Sequence, residues 1–213
     1  MDLLQIEAVL FDLDGTIIDS YPGIQKAFNN AYRKLYSAEN KISLKPFIGP
    51  PITEILSKVN AETDIHKINA FVKLFKDCYD TEDFKSSTVY FGTKLLLEKL
   101  HSEGVKLFIV TNKRQKPTDL IMQYLGIEHY FCASYCSDLK EEYASKSVMV
   151  KDILQVERLH KQKTVLVGDT YHDKLAADQN EISFIHAAYG YGKVEGIERE
   201  ILQPLDTLNF FNF

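Results

Sequence analysis

The stretch Ala8-Val9-Leu10-Phe11-Asp12-Leu13-Asp14-Gly15-Thr16 joins a short apolar run to a group of polar residues. An apolar run without polar alternation is typical of a parallel strand that is covered on both faces. Ligands of open parallel sheets bind beyond the carboxyl ends of the strands. The stretch therefore predicts a parallel α/β fold and a functional site directly after its first strand.

Similar apolar runs recur along the chain, and helix-like sequence separates them. The predicted strands cover residues 8–11, 106–110, 164–167 and 183–186, with a weaker fifth at 131–135. The helices predicted between them cover residues 92–103, 117–124, 145–156 and 171–180. Strands that alternate with helices in this way predict an α/β fold with a Rossmann-like parallel sheet.

One segment interrupts this alternation. From Pro22 to about Phe84 there is no convincing strand pattern, but there are amphipathic helical stretches that include Ile24–Tyr36 and Ile65–Tyr79. We therefore predict an α/β core domain made of residues 1–19 and 85–213, with a helical domain of residues 20–84 inserted between its first two strands.

Composition excludes several classes of partner. The 213 residues include 30 acidic and 25 basic side chains, so the net charge of −5 provides no broad cationic field for nucleic acid or an anionic membrane. The N-terminus has no basic region, and acidic residues interrupt its apolar runs before the length of a bilayer span. We expect a cytoplasmic protein without nucleic-acid or membrane partners, either a monomer or a homodimer.

The residues after the first strand suggest a metal site. Asp12 and Asp14 are two positions apart, so both carboxylates project to the same side of an extended chain. Their repulsion is relieved by a divalent cation, and oxygen ligands favour magnesium over zinc. Gly15 permits a tight turn, and Thr16 can offer its hydroxyl or amide to an anion. The alternative interpretation is a solvated Asp-x-Asp-Gly turn.

The ends of the next strands add further polar groups. The Thr111 hydroxyl can bind a phosphoryl oxygen, while the amides of Asn112 and Lys113 cradle it. Asp169 follows the third strand, and Asp173 comes one helical turn later. Four aspartates at two strand ends indicate a compensating cation. Asp173 can alternatively be a favourable charge in the first turn of a helix.

A lysine near the third strand can supply positive charge to the site. Lys146 opens the preceding helix, where its ammonium could neutralise both a carboxylate nucleophile and a phosphate. Lys140 and Lys151 are rivals on position alone, and an ordinary surface lysine is the alternative. His172 is interpreted as a rim residue or a substrate contact rather than a general base.

Taken in order, these blocks resemble the haloacid dehalogenase superfamily of phosphatases, in particular its phosphoglycolate-phosphatase-like branch with a helical cap. The segments that carry the resemblance are Phe11–Thr16, Val110–Lys113, Lys146 and Val167–Asp173, together with Ile48–Pro51 in the expected cap and Gly190–Gly192 after the last strand. The family's lysine is often followed by proline, whereas Ser147 follows Lys146 here.

The resemblance implies a role for each candidate residue. Asp12 is the expected nucleophile, and Asp14 the expected acid that protonates the leaving oxygen and then the base that activates water. The residues expected to be catalytic are Asp12, Asp14, Thr111 and Lys146. Those expected to hold Mg²⁺ are Asp12, Asp14 through its backbone carbonyl, Asp169 and, in support, Asp173. Those expected to contact the substrate are Gly15, Thr16, Asn112 and Lys113.

The function expected from the resemblance is magnesium-dependent hydrolysis of a small phosphorylated metabolite, a phosphate monoester, through a phospho-aspartate. A sugar phosphomutase uses the same aspartate pair and is the first alternative. A non-catalytic binding protein is the second, and it predicts erosion of the nucleophile or of the metal ligands. The sequence shows no such erosion at Asp12, Asp14 or Asp169.

Overall fold

A computed structural model describes residues 4–61, 63–143 and 145–212 of the chain. The strands are β1 (Leu4–Gln5), β2 (Ala8–Phe11), β3 (Ile18–Asp19), β4 (Thr88–Val89), β5 (Lys106–Thr111), β6 (Ala133–Cys136), β7 (Thr164–Gly168), β8 (Ser183–Ala187), β9 (Glu200–Ile201) and β10 (Phe211–Asn212). The helices are α1 (Tyr21–Tyr36), α2 (Ile52–Asn60), α3 (Ile65–Tyr79), α4 (Thr93–Ser102), α5 (Gln115–Leu125), α6 (Lys146–Val156) and α7 (Tyr171–Asn180). Within the described ranges, none of these helices has both the length and the apolar content needed to cross a bilayer.

Six parallel strands form the central sheet, in the order β6-β5-β2-β7-β8-β9. The predicted α/β fold is thereby confirmed, and all five predicted strands are present. The sequence did not predict β9, which has only two residues and lies at the edge of the sheet.

The first strand lies at the centre of this sheet because both of its faces are apolar. Val9 and Phe11 of β2 belong to one core cluster, whereas Ala8 and Leu10 belong to another on the opposite face. All four side chains are at most 1% exposed. The chain proceeds from β2 to β5 and β6 on one side and then crosses to β7 on the other. The strand order therefore reverses between β2 and β7, which is where open α/β sheets bind ligands.

A helical insertion made of α1, α2 and α3 lies between β2 and β5 in the chain. Its core includes the packing of α1 on α3, where the rings of Phe28 and Phe71 are 4.9 Å apart. The strands β3 and β4 pair antiparallel just before and just after the insertion, so the chain enters and leaves it through adjacent segments. The described residues of the insertion form no strand, as predicted. Its proposed limits at residues 20 and 84 remain a prediction.

Candidate active site

The candidate site lies at the carboxyl ends of β2, β5 and β7, which are adjacent in the sheet. Asp12 directly follows β2, and its backbone N–H donates to the Val167 carbonyl of β7 at 2.9 Å. Thr111 ends β5, and Asp169 directly follows β7. All three of these polar residues are at most 4% exposed. The sheet thus brings residues that are far apart in sequence to one buried edge.

A lysine bridges two of the aspartates. The ammonium of Lys146 lies 2.7 Å from Oδ1 of Asp12 and 2.5 Å from Oδ1 of Asp173. The two rival lysines are located elsewhere, since Lys140 pairs with Asp152 at 2.6 Å and Lys151 is exposed. The first residue of α6 is therefore the lysine that contacts the aspartates, although Ser147 rather than proline follows it.

Asp169 completes a cluster of carboxylates. Its Oδ2 accepts hydrogen bonds from the backbone N–H groups of Tyr191 at 2.7 Å and of Gly192 at 3.3 Å. Its Oδ1 is buried and has no partner among the described residues. Oxygens of Asp12, Asp169 and Asp173 lie within 4.8 Å of one another. We call these three residues and Lys146 the carboxylate cluster.

The carboxylate cluster fits a hard divalent cation. A buried oxygen without a partner calls for an explanation, and a cation beside Oδ1 of Asp169 would give it one. The donors are all oxygens, which is the ligand type that magnesium prefers. The carboxylates also outnumber the single ammonium by three to one, so a further positive charge is favourable there.

Burial and mutual repulsion disfavour the charged forms of these acids. Burial raises the pKa of Asp12 well above its usual range, and nearby Asp173 and Asp169 raise it further against the opposing effect of Lys146. Burial, followed by the charge of Asp173, raises the pKa of Asp169 to about 7. Burial alone would lower the pKa of Lys146, but the facing carboxylates of Asp12 and Asp173 raise it above its ordinary value. Added positive charge would favour the ionised carboxylates.

Asp173 has two partners, one for each oxygen. Its Oδ1 accepts from Lys146, while its Oδ2 accepts from the backbone N–H of Thr170 at 2.9 Å and from the Thr170 hydroxyl at 2.6 Å. The contact from the Thr170 backbone N–H belongs to a capping box at the start of α7. Oδ2 of Asp173 therefore binds the first turn of α7, as the alternative interpretation of this residue predicted. Oδ1 of Asp173 contacts Lys146 and belongs to the carboxylate cluster.

Asp14 lies beside the cluster and has its own basic partner. The Lys113 ammonium is 3.1 Å from Oδ2 of Asp14 and also donates to the Tyr79 hydroxyl at 3.1 Å. The Lys113 side chain is 8% exposed and that of Asp14 is 13% exposed. Burial opposes the charge on Lys113, but Asp14 and then Tyr79 raise the pKa of this lysine above its ordinary value. Lys113 thus binds Asp14 of the core and Tyr79 of α3 together.

The segment after β5 is attached to the helical insertion at three consecutive residues. The Asn112 amide donates to the Gly49 carbonyl at 3.2 Å, and Arg114 forms an ion pair with Asp80 at 2.7 Å. With the Lys113 contact to Tyr79, each residue from 112 to 114 bonds to the insertion. These three contacts hold the insertion over the ends of β2 and β5.

The remaining predicted residues lie in the turn after β2, at the end of β5 and at the start of α7. Gly15 has φ +86°, and a Cβ there would lie 2.2 Å from Oδ2 of Asp169, so both conformation and space require glycine.

Thr16 is buried, its hydroxyl has no partner among the described residues, and its carbonyl accepts from Tyr189. The Thr111 hydroxyl accepts from the Lys113 backbone N–H at 3.1 Å. His172 is exposed, as expected for a rim residue.

Several residues that support the site carry no clear sequence signal. The sequence interpretation noted the Gly190–Gly192 segment but did not predict that its backbone N–H groups bind Asp169. The Tyr191 hydroxyl also donates to Asp19 at 2.8 Å, beside the entry to the insertion. Tyr79 differs from the two phenylalanines of α3 by its hydroxyl, but nothing in the sequence indicates that this hydroxyl faces the core. Its role depends on the approach of the insertion to the core.

Fold and site together define an α/β protein with a Rossmann-like parallel sheet, whose buried carboxylates lie where the strand order reverses. The family model described as haloacid dehalogenase-like hydrolase matches residues 9–187, and the chain belongs to this family. It lies in the phosphoglycolate-phosphatase-like branch with a helical cap, as the sequence resemblance predicted, and it is an enzyme of the phosphatase type. The helical insertion is called the cap from here on.

Relatives and solved structures agree with this placement. A 5′-nucleotidase of Pseudomonas aeruginosa is 28% identical over 190 residues, which are 89% of this chain and 86% of that protein. A phosphoglycolate phosphatase of Vibrio vulnificus is 26% identical over 201 residues, which are 91% of this chain and 88% of that protein. The structure of a haloacid dehalogenase-like family hydrolase from Streptococcus pneumoniae superposes with a TM-score of 0.87 at 26% identity, covering 98% of this chain and 99% of that chain.

Proposed function

We propose that this protein is a magnesium-dependent phosphatase that hydrolyses a small phosphate monoester through a phospho-aspartate on Asp12. The observation that carries the proposal is the position of Lys146, which contacts Asp12 and Asp173 beside the unpaired buried oxygen of Asp169. Such an arrangement supplies a carboxylate nucleophile and concentrated positive charge at the same place. The related 5′-nucleotidase and phosphoglycolate phosphatase support a phosphate ester as the substrate.

In the first step, a carboxylate oxygen of Asp12 attacks phosphorus and the bond from phosphorus to the ester oxygen breaks. Lys146 already contacts Oδ1 of Asp12, so its charge would act on the carboxylate and on the phosphoryl group that reaches it. The Thr111 hydroxyl at the end of β5 is proposed to donate to a phosphoryl oxygen. Little covalent assistance is required beyond positioning and charge stabilisation.

Asp14 is proposed to move the protons. It donates a proton to the leaving oxygen in the first step, and the resulting carboxylate takes a proton from the water that attacks phospho-Asp12. The attack releases inorganic phosphate and restores both aspartates. Lys113, at 3.1 Å from Asp14, would hold this side chain between the carboxylate cluster and the cap.

Magnesium would be held by the carboxylates of Asp12 and Asp169 and by the backbone carbonyl of Asp14, with Asp173 in support. When bound, it supplies positive charge that neutralises the carboxylates and the transferring phosphoryl oxygens.

The direct test is phosphate release from simple monoesters in the presence of magnesium, with the Asp12→Asn variant alongside. Asn has the shape of Asp but cannot act as the nucleophile, so turnover should fall by on the order of 10⁴-fold or more. Acid quenching during turnover should trap alkali-labile phosphoprotein in the wild type and none in the variant. Unchanged turnover of Asp12→Asn would overturn the assignment. Sugar-phosphate isomerisation without net phosphate release would instead identify a mutase.

A further inference from the structure

A cavity of about 260 Å³ lies between cap and core, with Asp14 in its wall. Helix α3 lines it with Val72, Phe75, Lys76 and Tyr79, which share one helix face at spacings of three and four residues. The seven-residue interval from Val72 to Tyr79 corresponds to about 10 Å along the helix axis. Tyr79 is at the end near Asp14, since both contact Lys113. We call this space the α3 cavity.

The walls of the α3 cavity are mainly apolar. Ile52 and Ile55 of α2 face it in addition to the residues of α3, and Pro117 lines it from the core. The rings of Phe75 and Tyr79 are stacked, with centroids 5.5 Å apart and planes 9° apart, so they form a rigid aromatic surface. An apolar space with a few polar groups is the usual form of a small-molecule site.

Of the basic residues that line the α3 cavity, two form ion pairs with aspartates of the described ranges and one does not. Lys113 is paired with Asp14, and Arg114 is paired with Asp80. The ammonium of Lys76 has no acidic partner and no hydrogen-bond acceptor among the described residues, although the residue lines the cavity. A ligand in the α3 cavity could therefore bind the unpaired ammonium of Lys76 while it packs against apolar and aromatic side chains.

We infer that the preferred leaving group is an alcohol that carries an apolar-faced ring, which occupies the α3 cavity while an acceptor on the ring faces Lys76. This inference rests on the proposed function, because it assumes that the phosphoryl group is bound at the carboxylate cluster. A two-carbon leaving group such as glycolate would leave most of the cavity as water against apolar side chains, which is unfavourable. A ring would replace that water and contact Phe75.

The inference is tested by comparing esters whose leaving groups are similar in reactivity but different in size. Benzyl phosphate, ethyl phosphate, n-hexyl phosphate and 2-phosphoglycolate would be assayed with magnesium for kcat/KM. The ring should raise kcat/KM of benzyl phosphate at least about tenfold over both two-carbon esters, since even one methylene in a hydrophobic pocket is worth about that much. The flat ring should also exceed the hexyl chain.

Two variants test whether the ring binds in the α3 cavity, and a third tests the role of Lys76. Phe75→Ala should reduce the preference for benzyl over ethyl phosphate. Val72 lies one turn before Phe75 and is partly exposed, so Val72→Asp should reduce the same preference without removing a buried ring. Lys76→Met should lower kcat/KM for 4-carboxybenzyl phosphate more than for benzyl phosphate. Lys73→Met is the matched control, since Lys73 is exposed on the same helix and does not line the cavity.

The outcomes separate this inference from the proposed function. Failure to release phosphate from any ester would overturn the proposed function and this inference with it. Phosphate release without preference for benzyl over ethyl phosphate, or with equal rates for hexyl phosphate, would overturn the inference alone. A preference that persists unchanged in both Phe75→Ala and Val72→Asp would place the ring outside the α3 cavity and would also overturn it.

Discussion

The carboxylate cluster and the α3 cavity lie on either side of Asp14 but are built from opposite kinds of side chain. In the cluster, charged groups are almost completely buried and held by short contacts, such as those of Lys146 to Asp12 and Asp173. In the cavity, most walls are apolar and Lys76 is an isolated charge. Charge is thus concentrated where the proposed phosphoryl transfer would require it, whereas the cavity offers mainly apolar surface, which we propose binds the leaving group.

After the loss of Asp12 itself, the largest effect is expected from removing the ammonium of the cluster. Lys146→Met should lower kcat by on the order of 10³-fold, because it removes the charge that faces Asp12, the proposed nucleophile. It also leaves Asp12 and Asp173 buried without their basic partner, so the free energy of unfolding should fall by about 3–5 kcal/mol in the absence of metal. Steady-state kinetics and urea unfolding measure the two effects.

Lys140→Met is the control for this substitution. Its Lys140–Asp152 pair is about as short as that of Lys146, but the Lys140 side chain is 43% exposed. Exposed ion pairs contribute little to stability, and Lys140 does not contact the cluster. Equal losses of activity in the two variants would contradict the distinction between the cluster and the surface.

Metal binding provides the next test of the cluster. Magnesium at a hundredfold excess over its Kd should raise the free energy of unfolding by about 2.7 kcal/mol, because only the folded chain brings the carboxylates together. Asp169→Asn should abolish most of this increase. Asp178→Asn is the control, since Asp178 is an exposed aspartate of α7. Thermal unfolding with and without magnesium measures the effect, and an equal increase in both variants would exclude Asp169 as a ligand.

The next substitution is at Tyr79, which lies between the carboxylate cluster and the α3 cavity. Tyr79→Phe keeps the ring that lines the α3 cavity but removes the acceptor for Lys113. The loss of one hydrogen bond should lower kcat about threefold to tenfold, with a smaller change in KM. Tyr124→Phe, at a tyrosine that is 55% exposed, is the control. A higher KM with unchanged kcat would show that the hydroxyl binds substrate instead of positioning Lys113.

The smallest effect is expected at Asp152, outside both regions. The hydrogen bond from Lys140, followed by that from Tyr143, lowers the pKa of Asp152 below its ordinary value of 3.8. A lowered pKa in the folded state gives stability above pH 3.8 that is lost as the pH falls through the folded-state value. Between pH 5 and pH 3, the wild type should therefore lose up to about 1 kcal/mol more than Asp152→Asn. Urea unfolding at several pH values measures this difference, and identical curves would contradict it.

The cluster could be predicted from the sequence because its residues immediately follow apolar strands. Once β2 and β7 are recognised as parallel neighbours, Asp12 and Asp169 must meet at the same edge of the sheet. Lys146 could not be separated from Lys140 and Lys151 on position alone. The choice depends on where α6 begins and how it packs beside β5, which sequence periodicity does not determine.

The contacts between cap and core were beyond sequence prediction for a related reason. Helix α3 was predicted with its observed limits, but its amphipathic pattern does not indicate which residues face the sheet ends. The contacts of Tyr79 with Lys113 and of Asp80 with Arg114 span 34 residues of sequence and depend on how the cap lies on the core. The amides that bind Asp169 are backbone groups, which every residue except proline possesses.

The ion pair between Lys146 and Asp12 joins residues that are 134 positions apart. During synthesis, Asp12 emerges from the ribosome long before its lysine exists, and the segment that donates amides to Asp169 emerges later still. The nascent chain therefore contains separated aspartates and no assembled centre until almost the whole core domain has been made. A shortened translation product that ends after β7 would lack Asp169 and Asp173. It would therefore be inactive, because any chemistry at this centre requires the completed sheet.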